Sequence, residues 1–422
     1  MRKHPISSFP ALFTARLGLP DVLPRTTLDG PCTVRGGGVC TLCHAGAVEY
    51  DREYEARNHA LREFAGGLGL LPVWRPLVES PQGRRYRTIS KRKVFRAGGR
   101  AMLGLIVKTR QGNISAVPVE SCLLEPPGHA EVFRIVRENL EMPYAKPLPG
   151  ILRHVVVRGE EQKFAVVFTV SQIGHGVMHA LNTLSKRLVG AFAPVSSVLV
   201  YLDTSDGRYY FGAKDPSQRP HYHRLFGSEW MTQTIGGVNF VHHVFSFSQV
   251  NSGTTERLTE ILLAELIPKP LDHVFDIYCG YGLFSLVCAP RTRSALGIDQ
   301  SAFSIESARK NVRRRNAAHV RFRRDVITPD TVLKHLAPCT THDVVILDPP
   351  RNGPAAGVIE SIAFRKPARV AHLFCAIEHV PKSIETWKRQ GYDPVSVTPF
   401  DMFPGTNDVE LLAVFRSSAC PS

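Results

Sequence analysis

Beyond residue 250 the chain alternates short apolar runs with stretches of helical spacing. TTERLTEILLAELI repeats apolar residues at intervals of three and four, which predicts a helix capped by Thr254 or Thr255. Five runs follow, VFDIYC, ALGID, VRFRRD, DVVILD and RVAHLFC, separated by helical stretches such as SIESARKNVRRRNA. Such alternation predicts right-handed β-α-β units and a parallel sheet with helices on both faces. A last run, VELLAVFRS, follows a loop too short for a crossover helix and is expected to lie antiparallel.

Upstream the texture differs. HVVVR, FAVVFTV, VSSVLVYLD and NFVHHVFSFS are β-rich and predict a mixed sheet, with the pair His242-His243 as ordinary strand residues. Tyr50 to Phe64 reads as a helix, and the first thirty residues, punctuated by prolines, as a loosely docked extension. The expected fold class is α/β: an extension (1–30), a central α+β domain (31–248) and a doubly wound, Rossmann-like domain (249–422).

Charge narrows the partner. Lys and Arg number 52 against 37 Asp and Glu, a net charge of +15 with a pI near 9.6, which puts nucleic acid first among partner classes. In GRRYRTISKRKVF, from Gly83 to Phe95, the charge is interleaved with Tyr86 and Phe95. That mixture suits phosphate binding and base stacking, and equally a solvated, charged edge strand. No apolar run approaches the roughly 18 residues of a membrane span. The basic N-terminus is interrupted by Pro10 and Arg16, unlike a secretory signal, and nine cysteines do not form a secreted disulfide framework. A reducing cytoplasm is expected.

Candidate chemistry sits at the strand ends, since open α/β sheets bind ligands outside the carboxyl ends of their strands. The first run ends DIYCGYGLF, where Gly280 and Gly282 let the backbone approach a ligand. The second ends at Asp299, nineteen residues after Gly280 and suited to a ribose diol. Ser285 stands where a dinucleotide fingerprint has its third glycine, which favours a nucleoside without a pyrophosphate, such as S-adenosylmethionine. The fourth run ends ILDPPRNG and presents Asp348; the fifth ends at Cys375. A thiol at a strand tip beside a methyl donor points to nucleophilic catalysis rather than packing.

FDIYCGYGLFSL, ILDPPRNG, LFCAIEHVP and FDMFPGTNDVELLAVF resemble, in this order and spacing, the motifs of the RNA uracil-5-methyltransferase family. FSFSQVNSG and PGILRHVVVR are similar too, and Cys32, Cys40, Cys43 and Cys122 match the iron–sulfur cysteines of its 23S ribosomal RNA branch. The resemblance implies Cys375 as nucleophile, Glu410 as general base, and Gln249, Tyr278, Asp299 and Asp348 as ligands of S-adenosylmethionine. It implies a [4Fe–4S] cluster on the four cysteines, and a monomer acting on a uridine flipped out of structured RNA, ribosomal rather than transfer RNA. This chain departs from the pattern at Ala376-Ile377, where Asn-Pro is usual, at Leu283, where a polar residue is common, and at Asn407-Asp408, where histidine is frequent. An N-terminal RNA-binding β-barrel, present in many relatives, has no room ahead of Cys32.

The residues alone leave alternatives. CTLCH fits a c-type haem site only in an exported protein, and four thiolates suit structural zinc as well as an iron–sulfur cluster. Cys279, Cys288, Cys339 and Cys420 read as packing or incidental thiols. Competing functions are a catalytically degenerate RNA-binding relative, a tRNA uracil-5-methyltransferase, and an amino-methyltransferase built on Asp348-Pro-Pro. Arg351 speaks against the last, because such enzymes stack the base on an aromatic residue there.

Overall fold

The computed structural model of the chain describes residues 8–18, 43–44, 48–108, 114–160, 163–205, 211, 220–266, 269–270, 272–336 and 342–418. Among these, packing gathers residues of Met1–Leu19, Asp51–Pro81 and Thr232–Ser422 into one unit, and residues of Pro20–Tyr50 and Gln82–Met231 into another. The units interleave along the chain, whereas the boundaries drawn from sequence run consecutively. No helix among the described residues is long and apolar enough to cross a membrane.

In the second unit seven strands form a mixed sheet. They are β1 (Ile89–Ala97), β2 (Arg100–Lys108), β3 (Ile114–Pro118), β4 (Leu152–Glu160), β5 (Lys163–Val170), β6 (Val195–Leu202) and β7 (Tyr222–Gly227), in the order β3-β2-β1-β4-β5-β6-β7. Only β5 and β6 run parallel, because the helix His175–Ala191 carries the chain back between them. That helix and Pro127–Leu140 bury Leu181, Leu184, Val132 and Phe133 against Val155, Val157, Val166 and Phe168 of β4 and β5. From Thr232 the chain belongs to the first unit, where β8 (Trp230–Ile235) and β9 (Val238–His243) form a hairpin turned by Gly236 and Gly237, both at positive φ, as a two-residue turn of this kind requires.

The first unit carries the doubly wound sheet. Its strands are β10 (His273–Ile277), β11 (Ser294–Asp299), β12 (Val320–Arg324), β13 (Asp343–Leu347), β14 (Arg369–Phe374), β15 (Tyr392–Phe400) and β16 (Glu410–Ser417). They lie in the order β12-β11-β10-β13-β14-β16-β15, the first five parallel, and β16 antiparallel to both β14 and β15. The order reverses at β10, and at such a switch point a crevice opens at the carboxyl edge.

Three local readings change. The helix Ser252–Leu266 is capped by Asn251, whose Oδ1 accepts from Thr254 N at 3.2 Å; Thr254 and Thr255 lie inside the helix and are buried. The helix Phe9–Leu17 is no loose extension: Phe9, Phe13 and Leu17 are buried, and Arg52 donates to Leu17 O at 3.0 Å. Strand β15, missed in the sequence, contains Pro394 and Pro399, which weaken a strand pattern. It stands at the end of the sheet, where prolines are tolerated, and Arg75 N and Val78 N donate to Val397 O and Pro399 O at 2.8 and 2.9 Å.

Candidate active site

Register aligns the predicted residues at one edge of the sheet. Ile277 pairs with Ile298 and with Leu347, and Leu347 with His372, so Tyr278, Asp299 and Asp348 follow their strands at the same level. Phe374 of β14 pairs with Leu411 of β16, which sets Cys375, one step beyond β14, against Glu410 at the start of β16. Residues opposed in this way have Cβ atoms about 4.5–5.5 Å apart.

The turn after β10 is held by backbone. Tyr278 N and Cys279 N both donate to Ile298 O, and Tyr278 takes a left-handed φ of 67°. Gly280 and Gly282 are also left-handed, and a Cβ on Gly282 would come within 2.5 Å of Phe322. Asp299 Oδ2 accepts from Gly280 N at 3.0 Å and Oδ1 from Ser301 N at 2.7 Å, leaving each oxygen a further lone pair. Burial raises the Asp299 carboxyl against those amides. Gln249 is buried, and its carbonyl accepts from Gln233 Nε2 at 3.3 Å, while Tyr281 OH donates to Gln233 Oε1 at 3.3 Å. Gln249 is thus joined to the glycine turn through a residue the sequence reading did not single out.

Asp276 was missed as well. It is wholly buried, its Oδ2 accepts from Ser285 N and Ser285 Oγ at 2.9 and 2.7 Å, and burial pushes it up to about 6. The hydroxyl standing where a third glycine was looked for anchors this carboxyl. Asp348 lies close enough to Asp276 and Asp299 that burial, with both of them, lifts it to about 7.

On the other side of Asp348, burial pushes the Cys375 thiol up to about 12, helped by Asp348 and Glu410 and opposed by Arg351. Its Sγ lies 3.5 Å from Pro349 O, so the resting group is a thiol. Glu410 is buried and raised to about 8 by that burial, with Asp348 and Asp408 adding and Arg351 opposing. Arg351 donates to Asp408 Oδ2 at 2.8 Å and stands over the Phe403 ring at 5.6 Å. After the thiol, Ala376 leads into a 3-10 turn, Ile377–His379, with Ile377 buried.

The loop ahead of Glu410 is gripped by the helix Tyr50–Gly67. Arg57, fully buried, donates to Thr406 O at 2.5 Å and Asp408 O at 2.7 Å, pairs with Glu53 at 2.8 Å, and lies 3.4 Å from Asp401. Glu53 in turn accepts from Gly405 N at 2.5 Å. Asp408 therefore meets Arg57 with its carbonyl and Arg351 with its side chain. The helix could be read from sequence; its buried charges could not, because charged helix positions ordinarily face solvent.

In the second unit, Cys32 and Cys40 lie outside the described residues. Cys43 and Cys122 are within them, and burial, then Glu125 and the nearby Cys43, raise the Cys122 thiol strongly, with Arg92 opposing. No group of three or more metal-ligating side chains occurs among the described residues. In the basic segment the edge-strand reading and the stacking role of Tyr86 are corrected. β1 lies between β2 and β4 rather than at an edge, and Tyr86 is buried and unable to stack bases. Arg92 is buried in a bidentate pair with Glu125 at 2.6–2.7 Å, leaving Arg85, Lys93 and Arg96 exposed. Cys279 and Cys288 are buried packing thiols; Cys339 and Cys420 lie outside the described residues. His242 and His243 end β9 as strand residues.

Residues 237–362 match the family described as methyltransferase small domain. An uncharacterized RNA methyltransferase of Gloeobacter violaceus is 27% identical over 397 residues, 93% of this chain and 83% of that one. Another, of Halalkalibacterium halodurans, is 26% identical over 403 residues, 92% of this chain and 83% of that one. The crystal structure of the tRNA (uracil-54, C5)-methyltransferase of Pyrococcus abyssi, in complex with S-adenosyl-L-homocysteine, matches with a TM-score of 0.65 at 21% identity. The match covers 87% of this chain and 84% of that one, and shows a shared fold.

Proposed function

We propose, for a chain that fits the RNA uracil-5-methyltransferase family in motif order and in fold, that it methylates C5 of a uridine in structured RNA. The observation that carries this reading is the opposition of Cys375 and Glu410 across β14 and β16, beside Asp348. A methyltransferase acting on nitrogen needs no thiol facing a carboxylate.

S-adenosylmethionine would supply an electrophilic methyl carbon. The residues present fit it: open space beside Gly280, a carboxylate at the end of β11, and an acidic wall from Asp348 that suits a sulfonium. Gln249, Tyr278, Asp299 and Asp348 would hold the donor.

Uracil C5 is a weak nucleophile, which gives the thiol its task. Cys375 loses its proton to solvent, Arg351 favouring the thiolate, and the sulfur bonds to C6 while the C5–C6 π electrons move to an enolate on O4. The enolate drives C5 onto the methyl carbon, whose bond to the donor's sulfonium sulfur would break with its electron pair going to sulfur, so that S-adenosylhomocysteine leaves. Glu410 then removes the proton from C5, the enolate re-forms, and its collapse expels the Cys375 thiolate and restores the C5–C6 double bond. Burial of Glu410 sets its basicity near the working range.

The pattern of Cys32, Cys40, Cys43 and Cys122 supports ribosomal RNA as the substrate and a [4Fe–4S] cluster as the structural group. Cys43 and Cys122 sit near enough to interact, as two ligands of one cluster must. Transfer RNA is the second reading, favoured by the fold match.

Mutation separates the steps. Cys375→Ala should bind RNA without any linkage that survives denaturant. Glu410→Gln should add, accept the methyl and stall as a methylated protein–RNA adduct. Normal turnover by Glu410→Gln removes Glu410 as the base, and the absence of any adduct removes the thiol route in favour of an RNA-binding protein without catalysis. Mapping 5-methyluridine in ribosomal and transfer RNA, with and without the gene, decides the substrate.

A further inference from the structure

Between Glu306 and Asp325 stand eight basic residues and no acidic one. Some are used internally. Arg309 donates to Phe322 O at 3.1 Å, Arg324 to Gln300 O at 3.1 Å, and Arg315 lies 5.2 Å from the centre of the Phe240 ring. Arg313, Arg314, Arg321 and Arg323 are different: all four are exposed, and among the described residues none joins an ion pair. Some exposed arginines elsewhere pair with carboxylates, as Arg16 does with Glu63, Arg134 with Glu138 and Arg351 with Asp408, while Arg62, Arg85 and Arg100 join none; what sets these four apart is that they stand together between 313 and 323.

Their placement follows from the fold. Arg313 and Arg314 end the helix Ala302–Arg314, a short connection follows, and β12 begins at Val320. Val320 and Phe322 turn inward, Phe322 against the glycine turn, so the alternation of a strand sends Arg321 and Arg323 to the opposite face, about 6.6 Å apart. Among the described residues β12 pairs with β11 alone and forms the end of the sheet. Charge at a sheet edge discourages strand-to-strand association, and arginine in a last turn suits the helix dipole. Both account for the sign of the charge. Neither accounts for four guanidinium groups left without a carboxylate.

We infer that Arg313, Arg314, Arg321 and Arg323 form a phosphate-binding surface for RNA on the catalytic unit. The inference rests on the reading of RNA as substrate and goes beyond it by naming where the backbone is held. It adds a contact to those the segment Gly83–Phe95 can offer, where Arg92 is committed to Glu125 but Arg85 and Lys93 are exposed.

The test uses the full chain and a fluorescently labelled RNA hairpin with a uridine-containing loop, its affinity followed by anisotropy through a potassium chloride series. The variant R313Q/R314Q/R321Q/R323Q should bind more weakly, its log–log salt slope reduced by roughly 0.7–0.9 for each lost phosphate contact. R321Q/R323Q should lose about half of that decrement, so that a folding defect in the larger variant does not leave the question open. Calorimetric affinity for S-adenosylhomocysteine should match wild type in both. An unchanged salt slope overturns the proposal, as does an aggregating variant that keeps the wild-type slope, which would make these charges edge guards only. A loss seen with phosphatidylglycerol vesicles but not with the hairpin overturns it in favour of a lipid surface. If the slope falls as expected while wild type makes no 5-methyluridine, the surface stands and the uracil reading fails.

Discussion

Glu410 faces Cys375 across the antiparallel pair β14–β16, one step past the Phe374–Leu411 partners. The nucleophile and the base thus come from adjacent strands of one rigid sheet. Burial raises the proton affinity of both, and Glu410 adds to that of Cys375, so the pair rests protonated.

Activity should follow the Glu410 carboxylate. With its proton held up to about 8, the rate constant of a step limited by C5 deprotonation should rise tenfold per pH unit below that value and level off above it. Single-turnover rates on a methylatable RNA check this. Glu410→Gln should flatten the limb and lower the rate by about 10²–10⁴. A limb that survives the substitution would belong to another group.

Asp348 should set stability against function. Its folded value, about 7, lies above the ordinary 3.8, so the folded state binds more protons between those limits and loses stability as pH rises through them. Asp348→Asn should therefore melt higher than wild type at pH 8 and about the same at pH 3.5, while its calorimetric affinity for S-adenosylhomocysteine falls. A lower melting temperature at pH 8 would contradict the sign.

Arg57 should be costly to remove. Its charge is compensated by Glu53, Asp401 and two carbonyl oxygens. Arg57→Ala leaves those carboxylates buried without their cation, and about 3–5 kcal/mol should be lost in denaturant unfolding. Arg57→Lys keeps the charge without the fork and should recover part of it.

Gly282→Ala should distort the turn. The site needs a φ of 84°, and the added methyl would meet Phe322 at 2.5 Å. The variant should melt lower and bind S-adenosylhomocysteine more weakly, and Phe322→Leu should restore part of both losses. No restoration would assign the defect to backbone strain alone.

The cysteine site has a colour test. Protein purified without oxygen should be brown and hold iron and sulfide in near-equal amounts, and Cys122→Ser should lose them as completely as Cys43→Ser. Zinc with full activity would replace the iron–sulfur reading.

What could be read from the chain is the parallel sheet and the chemistry at its edge. Asp299, Asp348 and Cys375 announce themselves by standing where apolar runs stop. Arg57 and Arg92 escaped notice because a buried charge depends on partners far off in the sequence, Thr406 and Glu125 among them. β15 escaped because Pro394 and Pro399 look like loop residues until the strand is known to lie at the end of a sheet. Ser285 looked like a missing glycine and proved to anchor Asp276.

The grip of Arg57 on the loop before Glu410 also constrains how the protein is made. Arg57 emerges from the ribosome 349 residues ahead of Thr406, one of its acceptors. At about 5–20 residues per second that is an interval of roughly 17 to 70 s. Throughout it the guanidinium has neither Asp401 nor the loop carbonyls to meet. The buried charge of this helix is therefore compensated only once the loop before Glu410 has been made, late in the synthesis of the chain.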